Sequence, residues 1–207
     1  MRYLITHSLL SSWLYAMKGS SFEDATTERD AHAEFLQVLR KEPTPTTPAM
    51  QKGIDFEDLV TAIIKNDQEG MKMNPQWFDA ACKVAEIIGD GLLQYRARKT
   101  ITVSGMEFVL YGRLDALSAG VIYDIKFTSS NYDVGKYIDS TQHPTYMELV
   151  PEAHEFVYLV SNGTQVWTAD RYRRDEVRDI RTVIAAFIDW LNANDLMAVY
   201  TEYWQAA

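Results

Sequence analysis

Two apolar runs rich in β-branched and aromatic residues, 108–117 and 121–127, are separated only by Ser118-Ala119-Gly120, and this spacing predicts a β-hairpin. With the turn centred between Ala119 and Gly120, Asp115 and Asp124 fall opposite each other, their Cβ atoms about 5 Å apart. Period-two alternation puts Val121, Tyr123, Ile125 and Phe127 on the core side and turns Asp124 and Lys126 together away from it. Facing carboxylates repel, so a hairpin gains nothing structural from them. A hard divalent cation between them would reverse the sign.

An Asp-x-Lys triplet alone means little, since at average usage of charged residues it arises by chance in roughly half of all chains this long. Its company is what counts. Pro43, Pro45 and Pro48 end a polar helix expected over about 23–41, and Thr47 with Pro48 reads as an N-cap and first helical residue. The following stripe of Phe56, Leu59, Val60, Ile63 and Ile64 puts Glu57 beside the buried face, where a carboxylate can point inward at a site. Asn74-Pro75 repeats the cap-and-start pattern, predicting a helix to about Tyr95 and then a strand over 100–103. Downstream, Gln142 and Tyr146 lie four apart on one face of a short helix over 142–149. Asn162-Gly163 predicts a second hairpin, between 156–160 and a return strand over 166–172. A helix over 8–17 begins the chain, and Val177 to Leu191 marks a long helix near its end. The class expected is mixed α/β: one domain over 1–207, with a helical segment 1–47, a core 48–193 and a tail 194–207, whose Tyr200, Tyr203 and Trp204 suggest a docked segment.

Composition narrows the chemistry. A net charge of −9 over 207 residues argues against a protein that coats nucleic acid through bulk charge. Basic clusters remain at Arg96, Arg98 and Lys99 and at Arg171, Arg173 and Arg174. Cys82 is the sole cysteine, which excludes an internal disulfide and any four-cysteine zinc or iron-sulfur site within the chain. His7, His32, His143 and His154 lack zinc-ligand spacing, and none is read as a ligand. No signal-peptide pattern or bilayer-length apolar run is evident, so a cytoplasmic protein is expected.

Asp115, Asp124 and the Ile125 carbonyl are hard oxygen donors suited to Mg²⁺ or Mn²⁺, and Glu57 supplies a third carboxylate. Three acids can hold one or two ions, and two ions about 4 Å apart stabilise both the attacking and leaving oxygens of a phosphoryl displacement. Lys126 beside them can orient a water for attack, although an ordinary cross-strand ion pair is the simpler alternative. Gln142 and Tyr146 can hydrogen-bond a phosphate.

This ordered set resembles the PD-(D/E)XK nuclease superfamily, in particular its RecB-like exonuclease branch. The resemblance spans roughly 53–172. It rests on Gly53 and Glu57 (GxxxE), Gly112 and Asp115 (GxxD), Asp124 and Lys126 (DxK), and Gln142 and Tyr146 (QxxxY), with weaker support from Ser8 to Trp13. It implies a restriction-endonuclease-like fold and a metal-dependent deoxyribonuclease. In that family the aspartates hold the metal, the lysine assists the nucleophilic water and QxxxY contacts the DNA strand. Glu57 stands where many members have histidine, and a single cysteine cannot build the iron-sulfur cluster that some carry. The expected function is exonuclease action in phage or mobile-element recombination or repair, with DNA as partner and a homo-oligomer or an annealing protein as compatible associates. An endonuclease with the same core, and a non-catalytic binding module of the same fold, are the alternatives.

Overall fold

The expected hairpin forms at the centre of a seven-stranded mixed sheet. The structure, a computed structural model, describes residues 1–19 and 30–206. In chain order the elements are β1 (Arg2–Thr6), α1 (His7–Gly19), α2 (Ala31–Leu39), α3 (Pro48–Ile64), α4 (Phe78–Ile88), β2 (Leu92–Val103), β3 (Met106–Ser118) and β4 (Val121–Phe127). Then come α5 (Gln142–Leu149), β5 (Glu155–Ser161), β6 (Val166–Trp167), β7 (Arg171–Arg173), α6 (Ile180–Ala193) and α7 (Met197–Tyr203). The sheet runs β1-β3-β4-β5-β6, with β2 paired to β3 and β7 to β5. β1 is parallel to β3 and β4 to β5, whereas β2–β3, β3–β4, β5–β6 and β5–β7 are antiparallel. This is the mixed α/β class expected of a restriction-endonuclease-like core, a central mixed sheet flanked by helices.

Helices cover both faces. On one, α1, α2, α5, α6 and α7 bury Leu9, Leu10, Trp13, Phe35 and Phe187 against Phe108, Leu110, Leu114, Phe156 and Tyr158. On the other, α3 and α4 bury Phe56, Leu59, Val60 and Val84 against Ala116, Ile125, Val157 and Leu159. Each such side chain contributes about 1.5–3 kcal/mol on leaving water. Val121, Tyr123, Ile125 and Phe127 pack on the α3–α4 side as their alternation requires. Asp124 points the other way but is buried too, because that face carries a core of its own.

Several boundaries differ from expectation. β1 precedes the helix expected over 8–17, in a stretch where no element was read, since its five residues run straight into α1 with no turn to announce them. The helix expected to reach Tyr95 stops at Ile88, where Gly89 takes φ +61°, and β2 begins at Leu92 rather than at Thr100. Asn74 gives no capping hydrogen bond; it sits at φ 52° before a single 3₁₀ turn. Thr47 does cap α3, its hydroxyl accepting the Met50 N–H. The strand expected over 166–172 is split into β6 and β7. The helix expected over 23–41 is observed from Ala31, capped by Asp30, and residues 20–29 lie outside the described residues. The tail docks: the Tyr200 hydroxyl donates to the Leu4 carbonyl and Trp204 Nε1 to that of Leu39, while Tyr203 stays exposed. Among the described residues no helix is long and apolar enough to cross a membrane.

Candidate active site

The β3–β4 ladder runs from Ser118↔Val121 to Ala116↔Tyr123 and stops. One step further Asp115 faces Asp124, and there the Asp115 Oδ2 accepts the main-chain N–H of Ile125 at 2.8 Å. A side-chain acceptor replaces strand pairing at this step. Below the opening, β3 takes β1 as its partner, with Thr6 opposite Tyr111. The gap between β4 and β1 is a pocket of about 350 Å³ lined by Glu57, Asp115, Asp124, Ile125, Lys126, Gln142 and Tyr146 together with Thr6, His7, Tyr111, Gly112 and Arg113. Every site residue singled out in the sequence reaches it.

Each acid is held by the protein. Lys126 Nζ lies 2.8 Å from the buried Asp124 Oδ2, an ion pair. Asp124 Oδ1 accepts a hydrogen bond from the Gln142 amide. Glu57 Oε1 accepts one from the amide of Gln94. Among the described residues no three acidic, histidine or cysteine side chains converge into a ready cation cage. The donor set nonetheless suits a hard cation: the three carboxylates and Ile125 line one pocket, and carboxylate and carbonyl oxygens are the hard donors such an ion takes.

The electrostatics carry the mark of crowded like charge. Burial, then the neighbouring Asp124 and Glu57, push Asp115 well above the ordinary carboxylate range, against the opposing Ile125 N–H and Lys126. Burial likewise raises Glu57, although the Gln94 amide and Arg113 pull it down. For Lys126 burial disfavours the charge, but Asp124 and Asp115 outweigh it and hold the amine above its usual value, an ammonium.

The helix of Gln142 and Tyr146 is fitted closely to β3. A Cβ at Gly112 would stand 2.5 Å from Tyr146 Cε1, so only glycine permits this approach. The Tyr146 hydroxyl donates to the Arg113 carbonyl at 2.9 Å. Gly53, by contrast, has open space around it. Thr141 ties α5 to α1, donating from its hydroxyl to the His7 carbonyl at 3.0 Å and contacting the Ser11 hydroxyl at 2.7 Å.

Two residues at the site escaped sequence reasoning. His7 lines the pocket with its ring edge-on to Tyr146, and burial with the nearby Lys126 lowers its pKa to about 4, so it is neutral at pH 7. A lone histidine ahead of a helix gives no signal. Gln94 sits inside β2 at φ 53°, a left-handed conformation that a glutamine adopts only at a cost. The β2–β3 register skips it, passing from Leu93↔Ala116 to Tyr95↔Leu114, and no sequence signal announces such a break.

No protein-family model matches the chain, and no curated protein matches its sequence. Among solved structures, that of SSO0001 superposes with a TM-score of 0.55 at 15% identity, covering 94% of this chain and 78% of the other. A protein from Eubacterium rectale, provisionally named an exonuclease, gives a TM-score of 0.42 at 14% identity over 83% of this chain and 74% of its own. At such identities the likeness to SSO0001 is one of fold.

Proposed function

We propose that this chain is a Mg²⁺- or Mn²⁺-dependent deoxyribonuclease that hydrolyses phosphodiester bonds, and more specifically an exonuclease of DNA recombination or repair. The observation that carries the reading is the opening of the β3–β4 ladder at Asp115 and Asp124, with Lys126 and Glu57 in the same pocket. A hairpin that gathers like charges at its one broken step is spending stability on something other than the fold.

Glu57, Asp115, Asp124 and the Ile125 carbonyl are the groups that would hold one or two ions. A bound divalent cation supplies Lewis-acid polarisation of the phosphodiester and neutralises charge developing on it. Lys126, kept protonated by Asp124, donates to the attacking water and orients it, and its positive charge offsets the negative charge growing at phosphorus. Gln142 and Tyr146, fixed on α5 above the pocket, position the strand. The same core could cut internally, and the substrate decides. A non-catalytic binding module draws on one observation, that Lys126 and Gln142 already engage Asp124.

The test is end-labelled linear and closed circular DNA, single and double stranded, incubated with the protein in Mg²⁺ and in EDTA. Loss of label from linear DNA, with circles intact and no activity from Lys126→Ala, supports the exonuclease. Cut circles support an endonuclease. Undegraded DNA in every arm, or full activity in Lys126→Ala, overturns the proposal.

A further inference from the structure

On the edge strand β2, Arg96 pairs directly with Arg113 of β3, and Arg98 pairs with Tyr111. Pairing partners share a face, so Arg96, Arg98 and Arg113 lie together on one face of the β2–β3 ladder. Successive same-face residues are about 7 Å apart along a strand. The row therefore starts at the acidic pocket, whose lining includes Tyr111 and Arg113, and leads away from it along β2. All three arginines are exposed; among the described residues none makes a close ion pair or a side-chain hydrogen bond, and Arg113 is near enough to Glu57 to pull its pKa down.

The neighbouring basic residue shows the contrast. Lys99 projects to the opposite face, where it meets Glu148 at 2.6 Å, and Arg181 of α6 joins the same carboxylate at 2.9 Å. Those cations serve the packing of α5 and α6. The Arg96–Arg113 pair does the reverse, placing like charges directly opposite each other, which destabilises a ladder. In a chain carrying an excess of nine negative charges, an acidic partner for each would be easy to supply.

We propose that Arg96, Arg98 and Arg113 form a phosphate-binding track that receives the backbone of the DNA strand whose scissile bond lies in the pocket. The inference rests on the nuclease reading and adds to it a binding surface outside the pocket. Guanidinium groups present planar forks that match phosphate oxygens, and a row of them reads charge without reading sequence. The track also accounts for how so acidic a chain holds a polyanion: local cations line the approach while the surplus negative charge lies elsewhere.

The test measures binding of a fluorescent 20-nucleotide single strand and its duplex to Lys126→Ala protein in Mg²⁺, across a range of salt. In the Arg96→Ala/Arg98→Ala version of that protein, affinity falls about tenfold or more at 0.1 M salt, and the slope of log Kd against log salt drops by about 1.4 for the single strand and about 1.8 for the duplex. Melting temperature is unchanged or higher, since a repelled pair has been removed; a purely structural role predicts a lower one. Arg40→Ala, which takes one charge from the exposed end of α2, leaves the slope as it was. Equal losses from Arg40→Ala, equal competition by polyglutamate, or an unchanged slope in the double variant overturns the track. If the Lys126→Ala parent itself binds no DNA, the nuclease reading falls and the track with it.

Discussion

Asp115 Oδ2 accepts the Ile125 N–H at 2.8 Å, so one carboxylate both ends the β3–β4 ladder and stands against Asp124 in the pocket. The two tasks conflict energetically. The hydrogen bond needs only an oxygen, whereas the negative charge is opposed by burial, Asp124 and Glu57. Because the folded state raises this pKa, the group costs stability as pH climbs from the ordinary aspartate range through the raised value. Asp115→Asn keeps an oxygen for Ile125 and discards the charge. We expect the metal-free variant to be more stable than wild type at pH 7 by about 1–3 kcal/mol, and inactive on DNA. Thermal melts in EDTA check the first, and a less stable variant would contradict the assigned repulsion.

Gln94 poses a similar conflict in the backbone. At φ 53° a side chain costs about 1–2 kcal/mol that glycine does not. Its amide meanwhile holds Glu57. Gln94→Gly should therefore exceed Gln94→Ala in stability by about 1 kcal/mol, both having lost the amide. Both should bind Mn²⁺ more weakly than wild type in calorimetry without DNA. If the alanine variant is as stable as the glycine one, the left-handed conformation is not maintained in solution.

These two residues also mark how far the sequence could be read. Asp115, Asp124 and Lys126 were legible because a short turn between two alternating runs dictates register, and register dictates which side chains meet. Glu57 was legible from its place beside a helical stripe, and Gln142 with Tyr146 from a four-residue spacing. Gln94 was not, because 92–99 sits between a helix pattern and a strand pattern and its polar residues satisfy neither period. β1 was missed for a different reason. Five residues of parallel strand depend on β3, over a hundred positions away, and local propensity carries no record of that partner. The burial of Asp124 was missed because alternation assigns faces but does not say that both faces will be covered.

Gly112 links the site to packing. Its missing side chain lets Tyr146 and Leu149 of α5 lie on β3, with a built Cβ 2.5 Å from the tyrosine ring and 2.9 Å from Leu149 Cδ1. Gly112→Ala should cost about 1–3 kcal/mol as α5 is pushed outward. It should also weaken activity, because Gln142 and Tyr146 move with the helix. Gly53→Ala, where a Cβ meets nothing within 4 Å, should stabilise α3 by about 0.5–1 kcal/mol. Urea unfolding of the two variants checks both signs, and matching losses would remove the distinction drawn between the two glycines.

His143 supplies a pH dependence separate from the carboxylates. It is buried in α5, stacked on Tyr172 with ring centroids 4.1 Å apart, its Nδ1 3.3 Å from the Tyr158 hydroxyl. Burial, with Arg178 adding to it, lowers its pKa from 6.5 to about 4. Below pH 6.5 the unfolded chain thus takes up a proton that the folded chain refuses, and stability drains as pH falls. The loss reaches about 3 kcal/mol near pH 4. Asp115 works in the opposite direction over this range, so the net curve of the wild type is a difference, and a variant is needed to isolate the histidine. His143→Phe keeps a ring against Tyr172 and cannot be protonated. Whatever its stability at pH 7.5, its unfolding free energy should decline less steeply than that of wild type between pH 6.5 and 4, by about the same 3 kcal/mol. Parallel curves for the two proteins would show that His143 is protonated as readily in the folded chain as in the unfolded one, and that α5 is open to water at the point where it abuts the pocket.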